Sequence, residues 1–156
     1  MPLKHGIDCF LGRNTATWGS PTWVELTGVA SLTPNGGWDA AEILIRRSRI
    51  KYGAKVTLDI GFSGRILCED TDAGYTAFMT AFRSLTAVMD LLVLDGDIAT
   101  IGAFGYRAEV QITAGAQDQS PGDVLYRDFT AVPYPTVNIP QYAEVTTGPV
   151  VTFTNI

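Results

Sequence analysis

Few side chains in this sequence could carry a reaction, and their spacing argues against each reaction in turn. The single histidine, His5, stands near the start of the chain, so neither a Ser-His-Asp triad nor a multi-histidine metal site can be built within one copy. Cys9 and Cys68 lie far apart and outside any C-x-x-C pattern, and they read as two buried free thiols rather than a disulfide or a metal site. Cys9 has only Arg13 as a basic neighbour, which is too little to generate a nucleophilic thiolate. Glu69, Asp70 and Asp72 are the right residue types for Ca²⁺ or for an acid and base pair, but they stand directly before a helical pattern, where capping accounts for them. Asp95-Gly96-Asp97 reads as a turn. The run Gly102-Ala103-Phe104-Gly105 lacks the lysine and the strand-to-helix setting of a phosphate loop. The expectation is a chain with no catalytic, metal or cofactor site, and so not an enzyme.

Composition says what such a chain can be instead. At 156 residues, with 46% apolar and 17% charged side chains, it has the material for one ordinary core and too little charge for a disordered or coiled-coil protein. Sixteen glycines and eight prolines suit tight turns between short strands. No window approaches the roughly 18 consecutive apolar residues of a membrane helix, and the start Met1-Pro2-Leu3-Lys4-His5-Gly6 lacks the apolar run of a signal peptide, so a cytosolic origin and no membrane partner are expected. A net charge of −5 opposes tight wrapping around nucleic acid. The charge is uneven: residues 31–55 hold Arg46, Arg47, Arg49, Lys51 and Lys55 against Asp39 and Glu42, a local balance of +3 that leaves −8 on the remainder. A basic segment on an acidic body suits contacts between copies, and equally suits a solvated loop.

Periodicity places the elements. Residues 6–20 have no clear period. Residues 23–30 alternate as a strand anchored by Trp23 and Val29, and residues 31–37, with Pro34-Asn35-Gly36-Gly37, should break it. Residues 38–51 fit either a short helix or an arginine-studded hairpin; an extended excursion is preferred. Residues 55–62 form the clearest strand, with Val56, Leu58, Ile60 and Phe62 on its core face. A helix should begin at Glu69-Asp70-Thr71-Asp72 and carry Tyr75, Phe78, Met79, Phe82 and Leu85 as one apolar stripe, with Arg83 outward, giving way near Thr86. Residues 88–94 read as a buried strand. In the next strand Tyr106, Ala108, Val110 and Ile112 face the core, and Arg107, Glu109, Gln111 and Thr113 face water. Another strand spans 124–132, with Leu125, Phe129 and Ala131 inward. Pro133, Pro135, Pro140 and Pro149 then punctuate residues 134–156, read as an arm on a neighbour or on its own body, after a β domain over residues 1–133.

This order resembles the tail tube (major tail) proteins of long-tailed bacteriophages. The resemblance covers roughly residues 20–133 and rests on several stretches. These are the tryptophan-led strand from Trp23 to Val29, the extended loop over 31–51, and the helix with Asp72, Tyr75 and Leu85 running into the apolar strand Leu91 to Leu94. The last is the hairpin in which Pro121-Gly122-Asp123 precedes a strand through Phe129 to Pro133. The resemblance implies a mainly β fold with one flanking helix, sandwich- or barrel-like. It implies a virion protein, assembled in the host cytoplasm, whose hexameric rings stack into a hollow tube through which DNA passes. Its partners would be copies of itself and other tail proteins, with no cofactor.

Two sets of residues follow as expectations. Thr57, Asp59, Glu109 and Gln111, which alternate with core positions, would line the bore, where a wall that does not attract phosphate lets DNA slide. Arg46, Arg47, Arg49 and Lys51 would reach the acidic surface of the next ring. Rivals are another particle component of this fold, such as a tail terminator, a head-to-tail connector or the inner tube of a contractile injection device. A monomeric β module that stacks a ligand or sugar on Trp18, Trp23 or Trp38 is a rival of a different class.

Overall fold

The computed structural model describes residues 9–44, 51–115, 117 and 124–156, with side chains described for these apart from 34–44, 51–58 and 114. Among the described residues, nine strands and one helix follow in the order β1 (Phe10–Asn14), β2 (Trp23–Glu25), β3 (Val29–Leu44), β4 (Lys51–Leu67), α1 (Ala73–Arg83), β5 (Met89–Leu94), β6 (Phe104–Ala114), β7 (Tyr126–Pro133), β8 (Gln141–Thr147) and β9 (Val150–Asn155). All strand pairs are antiparallel and form one sheet, β2-β1-β5-β6-β7-β4-β3, from which β8 and β9 branch at β6. This is the mainly β fold with a single flanking helix expected from the sequence.

The branch gives the sheet two covered regions. β6 gives its free edge to β7 over Val110–Ala114 and to β8 over Phe104–Arg107. One face of the sheet packs under α1, and there Ile60, Phe62, Ile66, Leu91, Val110 and Phe129 form the larger core. The other face, at the β1–β5–β6 end, is roofed by the β8–β9 hairpin, and Phe10, Leu92, Leu94, Ala143 and Val145 form a second, smaller core. Trp23 of β2 meets Phe153 of β9 with ring centroids 6.1 Å apart, so side chains bring the two ends of the path β2-β1-β5-β6-β8-β9 together into a small barrel-like turn of sheet. From Leu91 to Leu94 β5 is buried on both faces, which is why that stretch reads as an apolar run, while Asp90 near its start is polar.

α1 forms where capping and an apolar stripe coincide. The Asp72 carboxylate accepts from the N–H groups of Gly74 and Tyr75, both at 3.1 Å, satisfying two of the donors a helix start leaves unpaired. Tyr75, Phe78 and Met79 are buried, and Phe82 packs beside them. Leu85 departs from the expected stripe: the helix ends at Arg83, Ser84 caps it, and Leu85 is 94% exposed.

Four other readings are corrected. The break expected over residues 31–37 is absent, and β3 runs through Pro34 to Leu44. β3 is an edge strand with a ladder on one side only, so a residue without an N–H is tolerated in it. Arg107, expected to face water, is 2% exposed because the β8–β9 roof covers its side of β6. Cys9 is exposed and Cys68 half-buried, rather than both buried. Leu125 precedes β7 and is exposed, while Phe129 and Ala131 face the core as read. Residues 134–156 supply β8 and β9 and pair onto β6 of the same chain.

Candidate assembly surfaces

The β3–β4 pair is the most distinctive feature of the topology. From Phe62 to Leu67, β4 lies between β7 and β3. From Lys51 to Gly61 it pairs only with β3, in continuous register from Asn35↔Gly61 to Leu44↔Lys51 apart from one bulge at Asp39/Ala40. At about 3.3 Å per residue this two-stranded ribbon extends roughly 35 Å past its last sheet partner. At its root, Gly64 permits a close approach: a Cβ there would run into the carbonyl oxygen of Ser31. The extended excursion preferred over residues 38–51 is, in its described part, the continuation of β3 to Leu44 paired with β4 from Lys51. Arg46, Arg47 and Arg49 lie outside the described residues, and Lys51 begins β4 with a side chain outside them.

The second surface is the part of the sheet face that β8 and β9 leave open. Parity along the strands puts Asp59 and Ser63 of β4, Thr130 and Val132 of β7, and Glu109 and Gln111 of β6 on this side, opposite α1. Asp59 is exposed, and Glu109 and Gln111 are half-buried. Glu109 accepts from Asn138 Nδ2 at 3.0 Å, and Gln111 Nε2 donates to the Leu85 carbonyl at 3.0 Å. Arg65 and Asp128, a cross-strand pair 2.9 Å apart, are both more than half exposed, so their pairing is worth little. Three of the four residues expected to line a bore therefore share one polar face. Thr57 belongs to the part of β4 whose side chains lie outside the described residues.

Sequence pattern missed the most heavily connected polar group. Arg107 Nε donates to Asp90 at 3.0 and 3.2 Å, its NH2 donates to Asp90 Oδ2 at 2.6 Å, and the same NH2 reaches the Trp18 carbonyl at 3.0 Å. Its guanidinium carbon lies 3.6 Å from the Trp18 ring centroid, 5.1 Å from that of Trp23 and 4.7 Å from that of Phe153. Asn14 completes the network, donating to Asp90 Oδ2 at 2.8 Å and accepting from the N–H groups of Ala16 and Thr22, each at 2.9 Å. One side chain thus fastens the β1–β2 loop, β2, β5, β6 and β9. The signal available in sequence was two tryptophans, Trp18 and Trp23, and an arginine in a chain with few charges, but nothing in their spacing joins them. Trp18 and Trp23, committed to Arg107, are not open stacking platforms; the side chain of Trp38 is outside the described residues.

Among the described residues no three of His, Cys, Asp and Glu converge on a common point, and no helix is long and apolar enough to cross a membrane. Tyr75 of α1 has its pKa raised above the ordinary phenol value of 10.0, first by its hydrogen bond with Cys68 and then by burial, which holds the phenol neutral. Asp95 and Asp97 serve their own loop, accepting at 2.7 Å from the N–H groups of Phe104 and Ala99 respectively.

Comparison with known proteins adds a fold relationship. Neither a protein-family model nor a curated protein matches this chain. Among solved structures, it is similar to a chain in the tail of an empty gene transfer agent (GTA) particle refined with helical C6 symmetry: TM-score 0.64, 13% identity, covering 97% of this chain and 99% of that one. A chain in the virion of the native GTA particle gives a TM-score of 0.62 at 13% identity, with the same coverage. The SPP1 tail tube gives 0.65 at 8% identity over 82% of this chain and 74% of that one. At these identities the likeness is one of fold, and the fold is that of tail tube subunits.

Proposed function

We propose that this chain is a structural subunit of a phage-type tail, which associates into rings that stack as a hollow tube for the passage of DNA. The observation that carries the reading is the β3–β4 ribbon, a long paired arm with no further partner among the described residues of its own chain, on a fold shared with tail tube subunits. A two-stranded hairpin is marginal by itself in water, so an arm of this length is expected to be completed by another molecule. An unprotected edge strand invites pairing between chains, and a ring uses that tendency where a monomer must suppress it. Ring on ring is a head-to-tail contact that does not close, and such a contact propagates a filament. Six copies per ring is the stoichiometry suggested by the C6 symmetry of the GTA tail.

In this reading the chain performs no reaction, and its place is the virion tail after assembly in the host cytoplasm. The open polar face with Asp59, Glu109 and Gln111, together with Thr57, lines the bore. Arg46, Arg47, Arg49 and Lys51 contact the acidic body of the next ring, and other tail proteins bind the tube ends. The test is sedimentation of the purified protein over a range of concentrations. Growth from a 16.8 kDa subunit to open-ended polymers is expected. Discrete rings that never lengthen would make it a terminator or connector, and a concentration-independent monomer would end the proposal. A ring structure with Asp59 and Glu109 directed outward would remove the bore assignment alone.

A further inference from the structure

We infer that a groove between the root of β3 and the β1–β5–β6 end of the sheet is the docking site for the arginine-bearing segment, residues 46–49, of a second copy of this chain. The inference rests on the stacked-assembly reading and names the receiving surface within it. The groove has a volume of about 910 Å³. Its floor is a row across adjacent strands, Leu11, Val93 and Tyr106, and its opposite wall is the chain from Leu26 to Leu32.

The lining is mainly aliphatic along its length, and its charged and aromatic residues are Glu25, Asp95, Phe104 and Tyr106. Glu25 and Asp95 are its charged members, and no lysine or arginine lines it. At its mouth Phe104, 43% exposed, stacks on Tyr142 at 5.7 Å, and Tyr106 touches both rings, at 6.1 and 5.6 Å. Glu144, exposed, stands directly across the β6–β8 ladder from Phe104. Aromatic faces flanked by carboxylates are what a guanidinium seeks, through attraction to the ring faces and charge-assisted hydrogen bonds. The chain holds its complement: five of its 11 lysines and arginines fall within residues 46–55.

Reach decides that the two belong to different copies. The groove is walled by Leu32, near the root of β3, whereas residues 45–50 join Leu44 to Lys51 at the far end of the same ribbon. Twelve paired residues separate the two points, roughly 40 Å of extended strand. A ribbon paired along its length cannot bring its far end back to its own root, so the segment and the groove meet only between molecules. A contact repeated head to tail in this way is also the kind that propagates a stack.

The test places a photoreactive benzophenone at the groove mouth (Phe104→p-benzoylphenylalanine) in a mixture of isotopically light and heavy chains assembled into polymers. Illumination is expected to join this position to the peptide containing residues 45–51 of a chain of the other isotope. Crosslinks confined to other peptides, or to the same chain, would overturn the inference. A second arm needs no bulky residue: E25K with E144K is expected to reduce polymer at least about tenfold, through like-charge repulsion. Polymerisation should return when R46E, R47E and R49E are added to the same chain. Undiminished polymer from E25K/E144K, or no return in the combined variant, would contradict the groove assignment while leaving the tail-tube reading intact. Failure of the unmodified protein to polymerise at all would instead defeat that reading and this inference with it.

Discussion

The body of this molecule and its β3–β4 ribbon are stabilised by different partners. In the body, interior strands pair on both sides, α1 is capped by Asp72, and side chains from nearly every element meet in one of two cores. In the ribbon, from Gly61 back to Lys51, each strand pairs only with the other among the described residues. The difference teaches that, with the proposed function, stability and assembly would be separable properties. Changes in the body should lower the folding free energy, and changes at the ribbon's far end should leave it alone while altering association.

The sharpest way to weaken the body is at Arg107. Arg107→Ala leaves Asp90 buried without its cation and is expected to cost about 3–5 kcal/mol in urea unfolding. Arg107→Lys should recover little of this, since an ammonium cannot both stack on Trp18 and hold Asp90 through two nitrogens. A loss below about 1 kcal/mol for the alanine variant would mean the β8–β9 roof does not depend on the clasp. Next in size, Asp72→Ala should cost about 1 kcal/mol by removing the cap of α1, and an unchanged urea midpoint would refute the role.

A smaller effect is confined to alkaline solution. Tyr75 has a folded pKa raised above 10.0, so the stability it contributes is complete below that value and is lost as pH climbs through the raised one. Tyr75→Phe should therefore remove part of the alkaline decline and leave the slope of stability with pH unchanged near neutrality; identical curves for both proteins above pH 10 would contradict this. The smallest effect on folding is expected from R46E, R47E and R49E together, within about 0.5 kcal/mol, although the same variant should no longer form long polymers. Polymers of normal length from it would erase the distinction between body and ribbon.

How far the sequence could be read follows the same division. Strict alternation located the core faces of β4, β6 and β7, where Ile60, Phe62, Ala108, Val110, Phe129 and Ala131 are buried as expected. Capping chemistry located α1 to within a few residues of its start. Alternation states which side of a strand a residue occupies, however, and not whether something covers that side. Arg107 and Glu109 have the same parity on β6, yet one lies beneath β8 and β9 and the other at the open face. Pro34 misled, because it suggested a break that an edge strand does not require, whereas the prolines after residue 133 left open whether residues 134–156 lie on a neighbour or on their own body, and they pair onto β6 of the same chain. Among the residues proposed to line the bore, the shared side of Asp59, Glu109 and Gln111 was legible from alternation. The groove beneath the root of β3 was not, because it is lined by stretches of chain far apart in sequence.

Negative-stain electron microscopy of the purified protein at high concentration puts the central claim at risk most directly. Hollow tubes of uniform width and variable length, built of stacked rings, are the expected image. A field of single compact particles, unchanged however concentrated the sample, would show that the ribbon seeks no second copy and that the account is wrong.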